Sequence, residues 1–300
     1  MIANENITDK FAGLRVWGRG DQRAPHKPLL VLLALADCFA GRNRLMPFAE
    51  VAPRLTRLLE EFGPSRRSVR PEYPFWRLQK DGIWEIPEAG NIIVGPSGDP
   101  SKAALVNAKA RGGLKEEIFA NLVKHPELIS LIAKDLLTQH FPDSCHEDIL
   151  LACGFSADEG ISVAVQRKRD PEFRFRILSL YQAKCAVCGF DLRLGNNSIC
   201  LEAAHIKWHQ AGGPNIEQNG LALCSMHHKM FDRGAFTIEK DMSIKVSEYV
   251  AGNYGLEEWL MRFSGQKLQL PLSSNYFPDV KFLQWHFKEV FREYVPAKAT

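Results

Sequence analysis

Three stretches decide the fold of the second half of the chain: Cys185-Ala-Val-Cys188-Gly189, Leu201-Glu-Ala-Ala-His205-Ile206, and Gln218-Asn219-Gly-Leu-Ala-Leu-Cys224-Ser-Met-His227-His228-Lys-Met-Phe-Asp232. Cys185 and Cys188 form a C-x-x-C half-site, with Gly189 to turn the chain tightly behind them. Thirty-six residues beyond Cys188, Cys224 and His227 form a C-x-x-H half of the same reach. Together they offer four soft ligands for a closed tetrahedral site, which suits structural Zn2+. Taken singly, Cys185 and Cys188 also look like buried thiols and His227 like a surface histidine. Their joint spacing, bracketing a histidine and an asparagine, favours the metal. Cys38, Cys145, Cys153 and Cys200 lack a partner spacing and read as small core residues.

Working outward, 300 residues allow two ordinary domains, and the composition is that of a globular chain. The longest apolar run, Pro28 to Ala36, is too short to span a bilayer, and Met1 to Lys10 has no signal-peptide core. A cytoplasmic protein is expected, with its seven cysteines reduced and no membrane partner. The net charge of +3 is too small to argue for nucleic acid by itself. A buried helix is predicted from Pro28, and an amphipathic helix over Glu50 to Phe62. Pro71 to Pro87 reads as a hairpin turning at Asp81-Gly82, and Asn91 to Asp99 as a further strand followed by a loop. Leu114 to Cys153 reads as helix in three pieces, broken near His125-Pro126 and Phe141-Pro142. The fold class is therefore α+β in two domains: residues 1–155, a basic linker over 156–170, and residues 171–300. The final stretch, Leu256 to Tyr294, reads as helical or irregular. Gln166 to Arg176 carries five positive and two negative side chains, as a solvated linker or a phosphate contact would.

The motifs AAHI, NGL-L and HHK-FDRG carry a specific resemblance. From about Phe173 to Ile238 the chain resembles HNH (ββα-metal) nucleases, in a branch of predicted restriction endonucleases. The resemblance implies a metal-dependent endonuclease with His205 as general base on the first strand, and His228 on the helix as ligand of a catalytic Mg2+ or Mn2+. Asn219 would hold the loop or orient the His205 ring. Asp232, one turn beyond His228, is a further ligand candidate, or else a cap or salt-bridge partner. The chemistry is coherent: a neutral imidazole takes a proton from water, and a hard cation stabilises the phosphorane-like charge and the leaving oxygen. The family often has Asp or His immediately before the base, where it binds the metal. Here that position is Ala204. Glu202 is a possible substitute, but strand alternation points it away from His205.

In the N-terminal half, Arg15, Arg19, Arg23, His26 and Lys27 lie in one segment, and Arg66, Arg67, Arg70, Arg77 and Lys80 in another, interleaved with Tyr73-Pro74-Phe75-Trp76. This is the pattern of a DNA face or of a solvated rim. Ala24-Pro-His-Lys27-Pro-Leu-Leu, Pro71-Glu-Tyr-Pro-Phe-Trp-Arg-Leu-Gln79 and Asp81-Gly-Ile-Trp84 resemble the sulfur-binding domain of phosphorothioation-dependent restriction endonucleases, over about residues 8–150. The implied partner is double-stranded DNA in which sulfur replaces a non-bridging phosphate oxygen. Tyr73 and Pro74 would wall the sulfur, and Lys27 would hold the phosphate. Arg23, His26 and Arg77 would reach neighbouring phosphates or base edges, and Trp76 serves either the pocket or the core. An ordinary phosphate oxygen against such a wall loses water without replacement, at roughly 1–3 kcal/mol, or about 5- to 150-fold in affinity. The alternatives are an HNH endonuclease reading another modification or duplex shape, and a zinc-stabilised DNA-binding module without cleavage. One active site serves one strand, so a double-strand break takes two nicks or a homodimer.

Overall fold

The computed structural model describes residues 4–15, 21–66, 68–155 and 171–293. The basic linker over 156–170, Arg19 and Arg67 lie outside them. The described residues fall into two compact units, one of 4–15, 24–63 and 68–155, the other of 21–23, 64–66 and 171–293. Among the described residues no helix is long and apolar enough to cross a membrane.

The first unit is built around α2 (His26–Phe39), buried without a break from Pro28 to Cys38. A helix apolar on every face must be central. It is wrapped by α3 (Phe48–Phe62), α4 (Glu72–Arg77), α6 (Glu116–Lys124), α7 (Pro126–His140) and α8 (His146–Cys153), while α1 (Asn4–Ala12) lies on α7. The one buried acid of α2, Asp37, accepts from Arg42 at 2.7 Å and from Arg54 at 2.7 and 2.8 Å, so its charge is compensated. A small antiparallel sheet in the order β1 (Met46–Pro47), β3 (Arg111–Leu114), β2 (Trp84–Glu85) closes one side, and α5 (Lys102–Asn107) leads into β3.

The three helices over 114–153 break where expected. Four other expectations are corrected. The helix expected at Pro28 begins at His26, and that expected at Glu50 begins at Phe48. The hairpin over 71–87 is absent. Its first half is α4 followed by a 3-10 turn, Leu78–Asp81, and Gly82 at φ 77 leads that turn into β2, which pairs with β3. Pro71 and Pro74 lie where a helix start needs no amide donors. Phe75 faces inward, edge-on to Phe48 and Trp84 at 4.9 and 5.7 Å. The strand over 91–99 reduces to a single bridge, Val94 to Pro100, because Gly95, Pro96, Gly98 and Pro100 cannot support a ladder.

The second unit opens with α9 (Pro171–Leu180) and a short hairpin, β4 (Arg193–Leu194) and β5 (Asn197–Ser198). The ββα unit follows: β6 (Leu201–His205) and β7 (Gly220–Cys224) pair antiparallel, Leu201 opposite Cys224 and His205 opposite Gly220, and α10 (Ser225–Asp232) leaves β7 directly. Helices α9 and α10 pack on this ribbon. A Cβ at Gly220 would stand 2.2 Å from the side chain of Ile177 of α9, so a larger residue there would force the buried Ile177 to shift. A second hairpin, β8 (Phe236–Ile238) with β9 (Ile244–Val246), then α11 (Leu256–Trp259) and α12 (Val280–Glu289), complete the unit. Cys38, Cys145 and Cys153 are buried as expected. Cys200 is not: it is exposed, at φ 53, in the turn entering β6.

Candidate active site

The sequence places Cys185 and Cys188 in a tight turn after α9, closed by Gly189 N–H donating to the Cys185 carbonyl at 2.8 Å. Cys224 ends β7 and His227 lies in the first turn of α10, so the ribbon carries the second half-site to the first. The four ligand atoms lie within 4.8 Å of one another. His227 Nδ1 is 3.1 Å from Cys224 Sγ and 3.7 Å from Cys185 Sγ. Bonds of about 2.3 Å to sulfur and about 2.0 Å to nitrogen give tetrahedral edges of about 3.5–3.8 Å, so the set fits zinc. The tautomer is fixed, because His227 Nε2 donates to the Trp259 carbonyl at 2.9 Å and leaves Nδ1 for the ligand set. Hydrogen bonds from Cys188 and Cys224 draw the Cys185 thiol far down, and the same crowding by Cys185 and Cys188 drives Cys224 up. Three thiols so close can all shed their protons only around a cation.

His205 ends β6 and lies flat against Phe173 of α9, with ring centroids 4.3 Å apart. Its Nε2 donates to Asn215 Oδ1 at 2.8 Å, so the neutral ring keeps an unprotonated Nδ1. Burial lowers the pKa of His205 and favours that neutral form, with the Asn215 bond acting against it. The side-chain hydrogen bonds of Asn219 go to the loop and not to the ring. Fully buried, Asn219 accepts from Lys207 N–H at 2.8 Å and donates to the Lys207 and Pro214 carbonyls, both at 3.0 Å. Of the two roles expected for Asn219, its hydrogen bonds are those of the loop-holding one, and it is Asn215 that meets the His205 ring.

On α10, His228 bridges two carboxylates. Its Nδ1 is 2.7 Å from Glu202 Oε2 and its Nε2 3.2 Å from Asp232 Oδ2, one turn along the helix. Burial opposes charge on this ring, but Asp232 and Glu202 push it up to about 9. His228 and Asp232 lie on α10, which packs on the strand that His205 ends, and the charges of both act on the His205 ring. Ala204 is fully buried and supplies no ligand. An imidazole nitrogen and a carboxylate about 3 Å apart fit two adjacent positions around a hard divalent ion with bonds of about 2.1 Å, the rest being left to water and phosphate. Sequence reasoning gave Asn215 no role and discounted Glu202. A lone Asn after Gly213-Pro214 carries little signal, whereas Glu202 was visible but judged only against His205.

In the first unit, α4 packs on α2. Tyr73 is half-buried beneath two guanidiniums, Arg77 at 4.6 Å and Arg70 at 5.5 Å from its ring centroid. Arg77 is also gripped by Asp99 at 2.8 and 2.6 Å. Pro74 is buried, and Trp76 is half-buried with its Nε1 donating to the Gly98 carbonyl at 3.0 Å. Lys27 forms an ion pair with the buried Asp81 and donates to the Arg15 carbonyl at 2.9 Å, and His26 is half-buried beside it in sequence. Arg23 is not grouped with these residues. It counts with the second unit, where it lies 3.9 Å over the Trp208 ring and donates to the Glu289 carbonyl at 2.8 Å. Arg66 likewise donates to the Glu289 carboxylate, at 3.0 and 3.1 Å.

A ββα ribbon with a histidine at the end of its first strand, backed by a three-cysteine, one-histidine cluster, defines the HNH class, and residues 185–239 match the family model described as HNH endonuclease. Residues 4–158, just over half of the 300-residue chain, match the model described as ScoMcrA-like, DNA sulfur-binding domain, and the chain belongs to that family. Among solved structures it is similar to the sulfur-binding domain of ScoMcrA complexed with phosphorothioated DNA, at 24% identity and a TM-score of 0.44, over 50% of this chain and 98% of that one. The sulfur-binding domain of SprMcrA, also complexed with phosphorothioated DNA, matches at 22% identity and 0.42, over 52% and 96%. The type IV phosphorothioation-dependent restriction endonuclease ScoMcrA matches at 25% identity and 0.42, over 48% of this chain and only 32% of that one. No curated protein matches. The chain thus joins a DNA sulfur-binding domain to an HNH endonuclease domain.

Proposed function

We propose that this chain is a restriction endonuclease that binds phosphorothioate-modified double-stranded DNA through its first unit and hydrolyses phosphodiester bonds with its second. The observation that carries the reading is the meeting of a neutral, oriented imidazole at His205 with the His228–Asp232 pair on one zinc-fitted ββα scaffold. His205 Nδ1 takes the proton of the attacking water. Asn215 holds the ring through Nε2, and Asn219 holds the loop that carries Asn215. His228 and Asp232 would hold a divalent ion, Mg2+ or Mn2+, which when bound stabilises the charge on the phosphorane-like state and on the leaving oxygen. Cys185, Cys188, Cys224 and His227 would hold Zn2+, which fixes the ribbon.

Tyr73 and Pro74 supply the apolar wall for sulfur, and Arg70 and Arg77 bring positive charge to the same helix. Sulfur keeps the phosphate charge but is a poor hydrogen-bond acceptor, so such a wall costs it less than it costs oxygen. A break in both strands takes two successive nicks or a homodimer. Two plasmids that differ only in phosphorothioation test the reading, with Mg2+ or Mn2+ present. The modified plasmid is expected to be cut and the plain one spared. Equal cutting of both would remove the sulfur-reading role, and cutting of neither would remove the nuclease.

A further inference from the structure

We infer that Glu202 is a positioning residue of the nuclease centre: its carboxylate holds the Nδ1–H of His228 and so turns the Nε2 lone pair towards the divalent ion that His228 and Asp232 would hold. The inference rests on the nuclease reading above. Strand alternation puts Glu202 on the opposite face of β6 from His205, and that is the face of α10: Ser225, the first residue of α10, donates to Glu202 Oε1 at 3.2 Å, and His228 meets Oε2 at 2.7 Å. The carboxylate is therefore fixed at both oxygens.

The two contacts of the His228 ring differ in length. The Glu202 contact has the length of a charge-assisted hydrogen bond, about 2.7–2.9 Å. The Asp232 contact, at 3.2 Å, is longer than that. It lies nearer the about 3.0 Å edge between adjacent ligands of an octahedral ion with bonds of about 2.1 Å. Placement agrees. Glu202 is three strand residues, about 10 Å, behind His205. Asp232 is one helical turn, about 6 Å, beyond His228 and away from Glu202. Glu202 thus stands at the Nδ1 side of the imidazole, its back, and Asp232 at the Nε2 side. Glu202 does not replace the ligand missing at Ala204. It acts through His228, as carboxylates behind metal-bound imidazoles do.

The test is Mn2+ binding to the zinc-loaded full chain without DNA, followed by the electron paramagnetic resonance signal of free Mn2+. His228→Ala should abolish binding at this site. Glu202→Ala should weaken it about 10- to 100-fold. Glu202→Gln, whose amide oxygen still accepts the N–H, should lose less than Glu202→Ala. Zinc content and the melting temperature serve as fold controls. Wild-type Mn2+ affinity in Glu202→Ala overturns the inference. So does a Glu202→Gln variant that loses binding as completely as His228→Ala, because Glu202 would then be a ligand itself. Undiminished binding in His228→Ala overturns instead the nuclease-centre reading on which the inference stands.

Discussion

Replacing Lys27 by methionine separates two roles for the start of α2: an internal anchor, and a hand on the DNA phosphate. The side chain of Lys27 is 14% exposed and that of its partner Asp81 only 1%. Asp81 also accepts from the Arg15 amide at 2.8 Å, which does not neutralise its charge. Removing the ammonium leaves a buried carboxylate without a counter-ion, a change that costs about 3–5 kcal/mol. With a urea slope of about 2 kcal/mol per M for a unit of this size, the midpoint of the first unit should fall by about 2 M. Lys27→Met with Asp81→Asn removes both charges and should recover most of the loss, giving a strongly non-additive cycle. Far-UV circular dichroism during urea titration, with zinc retained, measures all three variants. The stable double variant then answers the binding question: if Lys27 also meets a phosphate, affinity for a phosphorothioated duplex falls and the slope of log K against log salt drops by about one. A Lys27→Met protein within 1 kcal/mol of wild type, a margin small beside that about 3–5 kcal/mol range, would refute the reasoning, because the pair would then carry no buried charge to strand.

On the proposed mechanism His205→Ala should lower single-turnover cleavage by about 10²–10⁴-fold while duplex binding is kept, since the ring there serves as general base alone. With His205 as the base, the neutral ring is the active form, and burial lowers its pKa, so the acid limb of the rate profile should fall below the ordinary imidazole value of about 6.5. A limb centred above pH 7 would contradict that assignment. Asn219→Ala strands the Lys207 amide and two carbonyls in the interior, at about 1–3 kcal/mol each. Calorimetry should show the second unit melting several degrees lower, and an unchanged transition would deny Asn219 its loop-holding role. Chelation of zinc should unfold the second unit and leave the first unit's transition in place, read by metal analysis beside circular dichroism. A second unit that keeps its fold without metal would mean that the four-ligand set is not structural.

What the sequence made legible follows from how local each signal is. The C-x-x-C and C-x-x-H halves have a joint spacing that favours a shared ligand set, and they meet as read. The all-apolar run of α2 and the proline breaks at 126 and 142 act within one turn, so the helical parts of the first unit were readable. The hairpin over 71–87 was misread because Asp81-Gly82 does turn the chain. The partner of β2 is β3, some thirty residues away, and aromatic side chains suit a buried short helix as well as a strand. Cys200 was misread because the left-handed turn before β6 exposes its side chain, which spacing cannot foresee.

The site shows the same boundary more sharply. Residues His205, Asn219 and His228 were named from type and position, yet the partner that orients each of them came from elsewhere. Asn215 reaches His205 from the loop between β6 and β7, Lys207 and Pro214 receive Asn219, and Glu202 stands behind His228. For Glu202, strand parity spoke only against a place beside His205 and left its actual partner open. Alternation along β6 does send it away from the base. But in a two-stranded ribbon with a helix on each face, the side away from the base is the side of α10, and α10 carries the second histidine. Strand parity excludes contact with a residue on the same strand's other face. It says nothing about which helix covers that face, and here the covering helix is what gives the carboxylate its work.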